Sequence, residues 1–340
     1  MGLAAVDVGY GFVKGVANGK RTLFPSAVEP TTIRGDLARA LGVSAPGHHL
    51  SVVSVPGGPE NVEGRWLVGE AALLSGGVRG WDAAASRRSG YEILILAALA
   101  LLGEPRTDLA AGLPLSVWLS GKERLALREK LEGLEAWVSV DDADPVLVSV
   151  ERVWVLPQAA GAFAKFCSSP EGKGVAGSWV GVVDIGYRTT DYLLLAPGKN
   201  GVSVPDESRS GSMDEGVGKA LEKASREASL RSGSIPGSAE AILEALLLHS
   251  PDGVSRIQHE AAEVWTRETG LLAERISSRI RRVWGDILDH MAAVILAGGG
   301  GVLLARSLSS LLPNVRLCGE AIFANAEGFL SLLSPKAERV

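Results

Sequence analysis

Apolar and β-branched residues run through Leu3–Val8, stop at Gly9-Tyr10-Gly11 and resume over Phe12–Ala17. That pattern predicts two strands joined by a glycine-lined hairpin turn. Gly35–Gly80 is rich in Gly, Pro and Ser, with short β-like runs at Leu50–Val55 and Trp66–Val68, and reads as a small irregular subdomain. Tyr91–Leu102 is apolar all round, as a buried helix is; Asp108–Leu113 reads as a strand leading into Gly112-Leu113-Pro114, and Lys122–Leu131 as a charged amphipathic helix. Strands are expected at Ala136–Val140 and Val146–Val155. Gln158–Phe166 predicts a helix whose small residues, Ala159, Ala160, Gly161, Ala162 and Ala164, allow close packing on neighbouring backbone, and Lys165–Gly177 predicts a loop. A second strand–turn–strand is expected over Trp179–Leu195, followed by helices at Met213–Ser229, Ala239–His249 and Val254–His290, the last broken near Gly270. Ala292–Leu296 reads as a buried strand running into Gly298–Gly301.

This order of hairpins, helices and a strand entering a glycine turn indicates an α/β or mixed sheet covered by helices. One internal repeat adds to it: Val6-Asp7-Val8-Gly9-Tyr10 recurs as Val183-Asp184-Ile185-Gly186-Tyr187, half a chain later. Two similar halves predict a pseudo-symmetric, two-domain protein with its ligand between them. The composition agrees with a folded core, since 46% of residues are hydrophobic and 21% charged. The 42 glycines exceed the roughly 24 that average usage gives, without a G-X-Y period. A net charge of −5 supplies no field for nucleic acid or anionic lipid, so a link to DNA is expected to run through a partner. Cys167 and Cys318 are far apart, which fits a reducing compartment and core packing. Asp7 inside the first apolar run and the shortness of Ile93–Leu102 and Met291–Ala305 argue against a signal peptide and a membrane span, so a cytoplasmic protein is expected.

A polyphosphate needs backbone N–H groups at close range, a cation and a bridging metal. In Asp7-Val8-Gly9-Tyr10-Gly11-Phe12-Val13-Lys14 the glycines permit approach, Lys14 supplies charge, and Asp7 can hold Mg²⁺ through waters. Asp184-Ile185-Gly186-Tyr187-Arg188-Thr189-Thr190-Asp191 is the partner turn, with hydroxyls that can donate to phosphate oxygens and a second carboxylate, Asp184, for the metal. Either turn alone is equally what an ordinary glycine hairpin looks like; the pairing of the two carries the reading. Gly298-Gly299-Gly300-Gly301 can admit a nucleoside against bare backbone or be a flexible loop. Other nucleotide and hydrolase motifs fail: Gly9-x-Gly11 lacks the third Gly of a dinucleotide turn, Gly121-Lys122 is followed by Glu123, and His259-Glu260 has no second His. The five histidines form no evident ligand cluster.

With these residues in hand, the chain resembles the actin-like ATPases of the actin, DnaK-type chaperone and sugar kinase superfamily. Within it, the chain is most similar to the ParM/StbA plasmid-segregation proteins and the archaeal actin-like proteins. Asp7–Lys14 resembles the first phosphate loop of that family, Asp184–Asp191 the second and Ile295–Leu303 the adenosine motif. Phe24-Pro25-Ser26, Val68-Gly69-Glu70, Gly112-Leu113-Pro114 and Phe323-Ala324-Asn325-Ala326-Glu327-Gly328-Phe329 are further family-typical stretches. The resemblance implies an α/β, actin-like (ribonuclease H-like) duplicated fold with an interdomain nucleotide cleft. Domain I would take residues 1–157, with a small subdomain at about 30–85 and a returning segment at 322–340, and domain II residues 158–321.

The same resemblance implies that Asp7 and Asp184 organise Mg²⁺ and that Gly9, Tyr10, Gly11 and Lys14 hold the β- and γ-phosphates of ATP. Gly186, Thr189 and Thr190 would line the second loop, Gly298, Gly299 and Gly300 would sit by ribose and base, and Asp214, at an expected helix start, would face phosphate or nucleoside. Gln158 falls where the family positions its attacking water; ParM proteins have Glu there and actin has Gln. Because Gln orients water but is no base, slow, assembly-dependent hydrolysis is implied. The second loop carries Tyr187-Arg188 before Thr-Thr-Asp, a spacing closer to archaeal and divergent plasmid members. The implied function is an ATPase that self-associates into filaments in DNA segregation or as a cytoskeletal element, with a DNA-binding adaptor as a further partner. A small-molecule kinase and a non-catalytic nucleotide sensor are the alternatives.

Overall fold

A computed structural model of the chain describes residues 2–31, 47–56, 58–75, 78–79, 90–175, 177–199, 203–232 and 262–334. Two compact units divide it: Met1–Leu113, Val117–Pro157 and Phe329–Val340 form one, Pro114–Ser116 and Gln158–Gly328 the other. The C-terminal division thus falls at Phe329, later than the residue 322 expected from the sequence. The expected helix at Ala239–His249 lies outside the described residues, as does part of the Gly35–Gly80 stretch.

In the first unit the described strands are β1 (Gly2–Val8), β2 (Phe12–Ala17), β3 (Lys20–Pro25), β4 (Ala27–Pro30), β5 (His48–Ser54), β6 (Gly64–Val68), β7 (Val78–Arg79), β8 (Arg106–Leu113), β9 (Glu135–Val140) and β10 (Val146–Pro157). They stand in one sheet in the order β3-β2-β1-β8-β10-β9-β5-β6-β4-β7. β8 is buried from Thr107 to Leu113, as a parallel strand covered on both faces is. The described α-helices that lie wholly in this unit are α1 (Glu70–Leu74), α2 (Tyr91–Leu102) and α3 (Lys122–Leu131). Glycines bound α2 at both ends, Gly90 at φ 72° and Gly103 at φ 75°; its Ile, Leu and Ala side chains are buried nearly all round, against β1, β2 and β9. β3 escaped the sequence pattern because it is an edge strand: Lys20 and Arg21 are exposed, and the strand ends at Pro25.

The second unit has β11 (Val180–Ile185), β12 (Thr190–Pro197), β13 (Ser203–Met213), β14 (Ala293–Ala297) and β15 (Val315–Leu317), ordered β13-β12-β11-β14-β15. Its described helices are α4 (Ala160–Cys167), α5 (Gly218–Ser232), α6 (Ala262–Trp284), α7 (Gly298–Leu311) and α8 (Ala324–Leu333), the last passing into the first unit at Phe329. Two expectations are corrected. The helix expected at Met213–Ser229 starts at Gly218, Met213 being instead the last residue of a strand, Ser203–Met213, that the sequence did not predict. β13 is mostly polar and half-exposed, so its ladder to β12 and not a buried side-chain stripe defines it. α6 passes through Gly270 unbroken, because Leu272, Ala273, Ile276, Ile280 and Trp284 bury one continuous face; the chain turns at Gly285, φ 51°.

The two sheets share a plan. β1 pairs antiparallel with β2 and parallel with β8, which pairs parallel with β10; β11 pairs antiparallel with β12 and parallel with β14, which pairs parallel with β15. A third antiparallel strand, β3 or β13, completes each five-stranded set. The repeat seen in sequence is therefore a repeat of topology, extended in the first unit by β9, β5, β6, β4 and β7.

Cys318 is buried and Cys167 half-buried, and burial pushes both thiols up to about 11, consistent with packing and against reactivity. Among the described residues no helix is long and apolar enough to cross a membrane.

Candidate functional site

In the first unit, Asp7 is the penultimate residue of β1 and lies opposite Lys14 of β2. The Gly9 N–H donates to the Phe12 carbonyl at 3.0 Å, closing the turn over Tyr10 and Gly11, and the Gly11 carbonyl accepts from the Ser26 N–H at 2.9 Å. Lys14 Nζ donates to Asp7 Oδ2 at 3.3 Å with the carboxylate almost wholly buried. A Cβ on Gly9 would stand 2.8 Å from Lys14 Nζ, so the bare glycine makes room for the ammonium over the turn. Gly9 is thereby a conformational residue, its N–H spent on the turn, and the Tyr10 ring is buried as an anchor. Asp7 Oδ1 lies 3.1 Å from where a Cβ on Gly112, at the end of β8, would be.

The second hairpin repeats this with different chemistry. Asp184 lies opposite Asp191, which stands where the first hairpin has Lys14. The Gly186 N–H donates to the Thr189 carbonyl at 2.8 Å, again closing the turn. Tyr187 packs on the start of α5, where a Cβ on Gly218 would lie 2.5 Å from its ring. Thr190 is wholly buried and its hydroxyl donates to the Glu215 carbonyl at 2.7 Å, which makes it a tie between strand and turn. Thr189 is half-buried at the turn itself. Asp214, expected at a helix start, sits in the turn after β13 and pairs with Arg188 at 2.9 Å, 69% exposed.

Gly298–Gly301 form the first turn of α7 and not a flexible loop. Gly298 has φ 75°, and a Cβ there would stand 2.5 Å from Asp184 Oδ1 and collide with the Ile185 carbonyl. A Cβ on Gly300 would collide with Ile185 and meet Val217. Two of the proposed nucleoside glycines thus serve close packing on β11, while Gly299 is half-exposed. Met213 of β13 lines a cavity of about 380 Å³ with Glu274, Arg275, Ser278, Arg279 and Arg282 of α6. Arg275 pairs with Glu215 at 3.2 Å and Arg279 donates to the Tyr192 hydroxyl at 2.8 Å. In sequence these arginines had no assigned role.

Gln158 is buried, the residue before Ala159, whose φ of 70° is a strained conformation for a residue with a side chain, and α4 begins immediately after. The small residues of α4 do what their sizes predict: a Cβ on Gly328 of α8 would fall on the Gly161 carbonyl, so the two helices touch backbone to backbone. Asn325 of α8, given no role in sequence, donates from Nδ2 to Asp184 Oδ2 at 2.6 Å and accepts at Oδ1 from the N–H groups of Ala159 and Ala162, at 3.0 and 3.2 Å.

The donor set suits a hard cation held through water. Each hairpin offers a buried carboxylate with one oxygen fixed by an N–H donor, Lys14 or Asn325, and the other against a glycine at the end of the parallel neighbour, Gly112 or Gly298. Among the described residues no group of three His, Cys, Asp or Glu gathers into a direct coordination cage.

Comparison with known proteins follows this geometry. Residues 5–161 match the N-terminal domain of actin-like proteins, and residues 182–310 the C-terminal domain of the archaeal actin homologue, MreB-like. The archaeal actin homologue Ta0583 superposes with a TM-score of 0.74 at 23% identity, covering all of both chains, and its complex with ADP with 0.70 at 25%, covering 97% of this chain and 98% of that one. ParM in a 15-stranded filament from Clostridium botulinum gives 0.73 at 21%, covering 98% and 99%, and Bacillus thuringiensis ParM with ATP gives 0.68 at 16%, covering 97% of each. No curated protein matches the sequence. Two domain families in the order their names require, over most of the length, and a duplicated sheet shared with these structures establish that the chain belongs to the actin-like proteins, in the neighbourhood of ParM and the archaeal actin homologues.

Proposed function

We propose that this protein is an ATPase that binds Mg-ATP with both hairpins and assembles into nucleotide-dependent filaments. The observation that carries the reading is the buried aspartate repeated at the same place of each sheet, Asp7 and Asp184, each with one carboxylate oxygen against a bare glycine, Gly112 within β8 and Gly298 just past β14. A neighbouring fold holds ADP, another ATP, and a third is a filament, which supports transferring nucleotide binding and self-association to this chain.

In this reading Lys14 brings positive charge to the β- and γ-phosphates, the turn backbone around Gly11 and Thr189 lines them, and Asp7 and Asp184 orient the waters of the metal. When bound, Mg²⁺ supplies charge neutralisation between the phosphates. Gln158 orients the attacking water through its side-chain amide, without acting as a base, so turnover is slow until assembly improves the alignment. Gly299 is assigned to the nucleoside in this reading, and the cavity lined by Met213, Arg275 and Arg279 is a candidate place for its base. Head-to-tail self-association is heterologous and gives open polymers. Its use would be in segregating DNA through an adaptor or as a cytoskeletal element in the cytoplasm, with no direct binding of nucleic acid or membrane, in keeping with the net charge of −5.

Light scattering and pelleting at micromolar protein test this. Mg-ATP should produce sedimenting polymer and release phosphate, and Asp184→Ala should lower phosphate release by about 100-fold or more. A wild-type protein that binds ATP yet stays monomeric far above micromolar concentration would sink the filament reading.

A further inference from the structure

Asn325 joins three groups that the sequence keeps far apart. It is 5% exposed and lies on the first turn of α8. Its amide orientation is fixed by its partners: with N and O exchanged, an oxygen would face the Asp184 carboxylate at 2.6 Å and an NH₂ would face two N–H donors. The donor half therefore belongs to Asp184 and the acceptor half to Ala159 and Ala162, the strained residue after Gln158 and the first turn of α4. Around it, Gly161 and Gly328 bring the helices into backbone contact and Lys165 pairs with Glu327 at 2.6 Å, so the side chain sits in a fixed frame.

We propose that Asn325 is a positioning residue that binds the Asp184 carboxylate and the Gln158–Ala159 backbone into one hydrogen-bonded unit, fixing the metal-side carboxylate relative to the water-orienting amide. The proposal rests on the ATPase reading above. It differs from simple helix capping: a cap needs only an acceptor for the two N–H groups, whereas positioning Asp184 needs the donor as well.

Two variants separate these roles. Asn325→Asp keeps acceptors for Ala159 and Ala162 but cannot donate to Asp184, and Asn325→Ala removes both halves. Asn325→Asp sets a second carboxylate against Asp184, so it should lower the melting temperature, and at pH 8, against a shared proton that would restore a donor, kcat for ATP of the folded variant should fall roughly 10- to 100-fold, the usual effect of losing a partner that orients a metal ligand. Asn325→Ala should also weaken the Mg²⁺-dependent gain in affinity for a fluorescent ADP at least about tenfold, with affinity in EDTA changed less than about threefold. If Asn325→Ala does not fold, Asn325→Asp carries the test alone. Wild-type turnover in Asn325→Asp, with Asp184→Ala inactive, overturns this proposal and leaves the ATPase reading standing. Full activity in Asp184→Ala, or no nucleotide binding by wild type, overturns the ATPase reading and this proposal with it.

Discussion

At the scale of single residues, the site is built less from ligands than from residues that hold ligands still. Gly9 and Gly186 spend their N–H groups on closing turns, Thr190 spends its hydroxyl on Glu215, and Gly112 and Gly298 give room to carboxylates. Sequence could reach Asp7 and Asp184 because the repeat marks them twice. It could not reach Asn325, whose three bonds cross 141 to 166 positions of chain and leave no local spacing to read. Gln158 is where chemistry and strain meet, since Ala159 beside it is held at φ 70°. Gln158→Ala should cut steady-state ATP hydrolysis by about 100-fold while nucleotide affinity stays within a few-fold, as loss of water alignment without loss of binding does. Lost ATP binding in a titration would assign Gln158 to structure instead.

Elements were legible in proportion to how much of their definition is side-chain burial. α2 and α3 match the expected limits, because one is apolar all round and the other is framed by charge. β13 was hidden, because a polar strand exists only through its ladder to β12. Gly270 misled for a related reason: its local cost, up to about 1 kcal/mol relative to Ala, is outweighed by the apolar face of α6 on either side. A Cβ at Gly270 meets nothing within 4 Å, so Gly270→Ala should raise stability by about 0.5–1 kcal/mol, read as a higher denaturant midpoint with unchanged slope. The same change at Gly328 should have the opposite sign. A methyl there lands on the Gly161 carbonyl, and about 1–3 kcal/mol of destabilisation is expected in the same denaturation experiment.

For the whole molecule, the duplication gives two sheets of one plan with unlike chemistry at equivalent positions: Lys14 faces Asp7 in one, Asp191 faces Asp184 in the other. In the function proposed above, the cationic hairpin supplies charge to the phosphates and the acidic one a carboxylate for hydrated metal. Hydrogen exchange read by mass spectrometry tests this: Mg-ATP should slow exchange in peptides covering residues 8–14 and 184–191 together, and protection of only one would contradict shared binding. The bare residues at 112 and 298 also bear on how this site can diverge. At 298 a Cβ would stand 2.5 Å from Asp184 Oδ1 on a left-handed backbone, so a lineage that acquires a side chain there has to displace its aspartate, whereas at 112, with 3.1 Å to Asp7 Oδ1, a shift of a few tenths of an ångström accommodates it. Among sequences that share only the fold, glycine at 298 therefore sorts those that have kept the carboxylate geometry from those free to lose it.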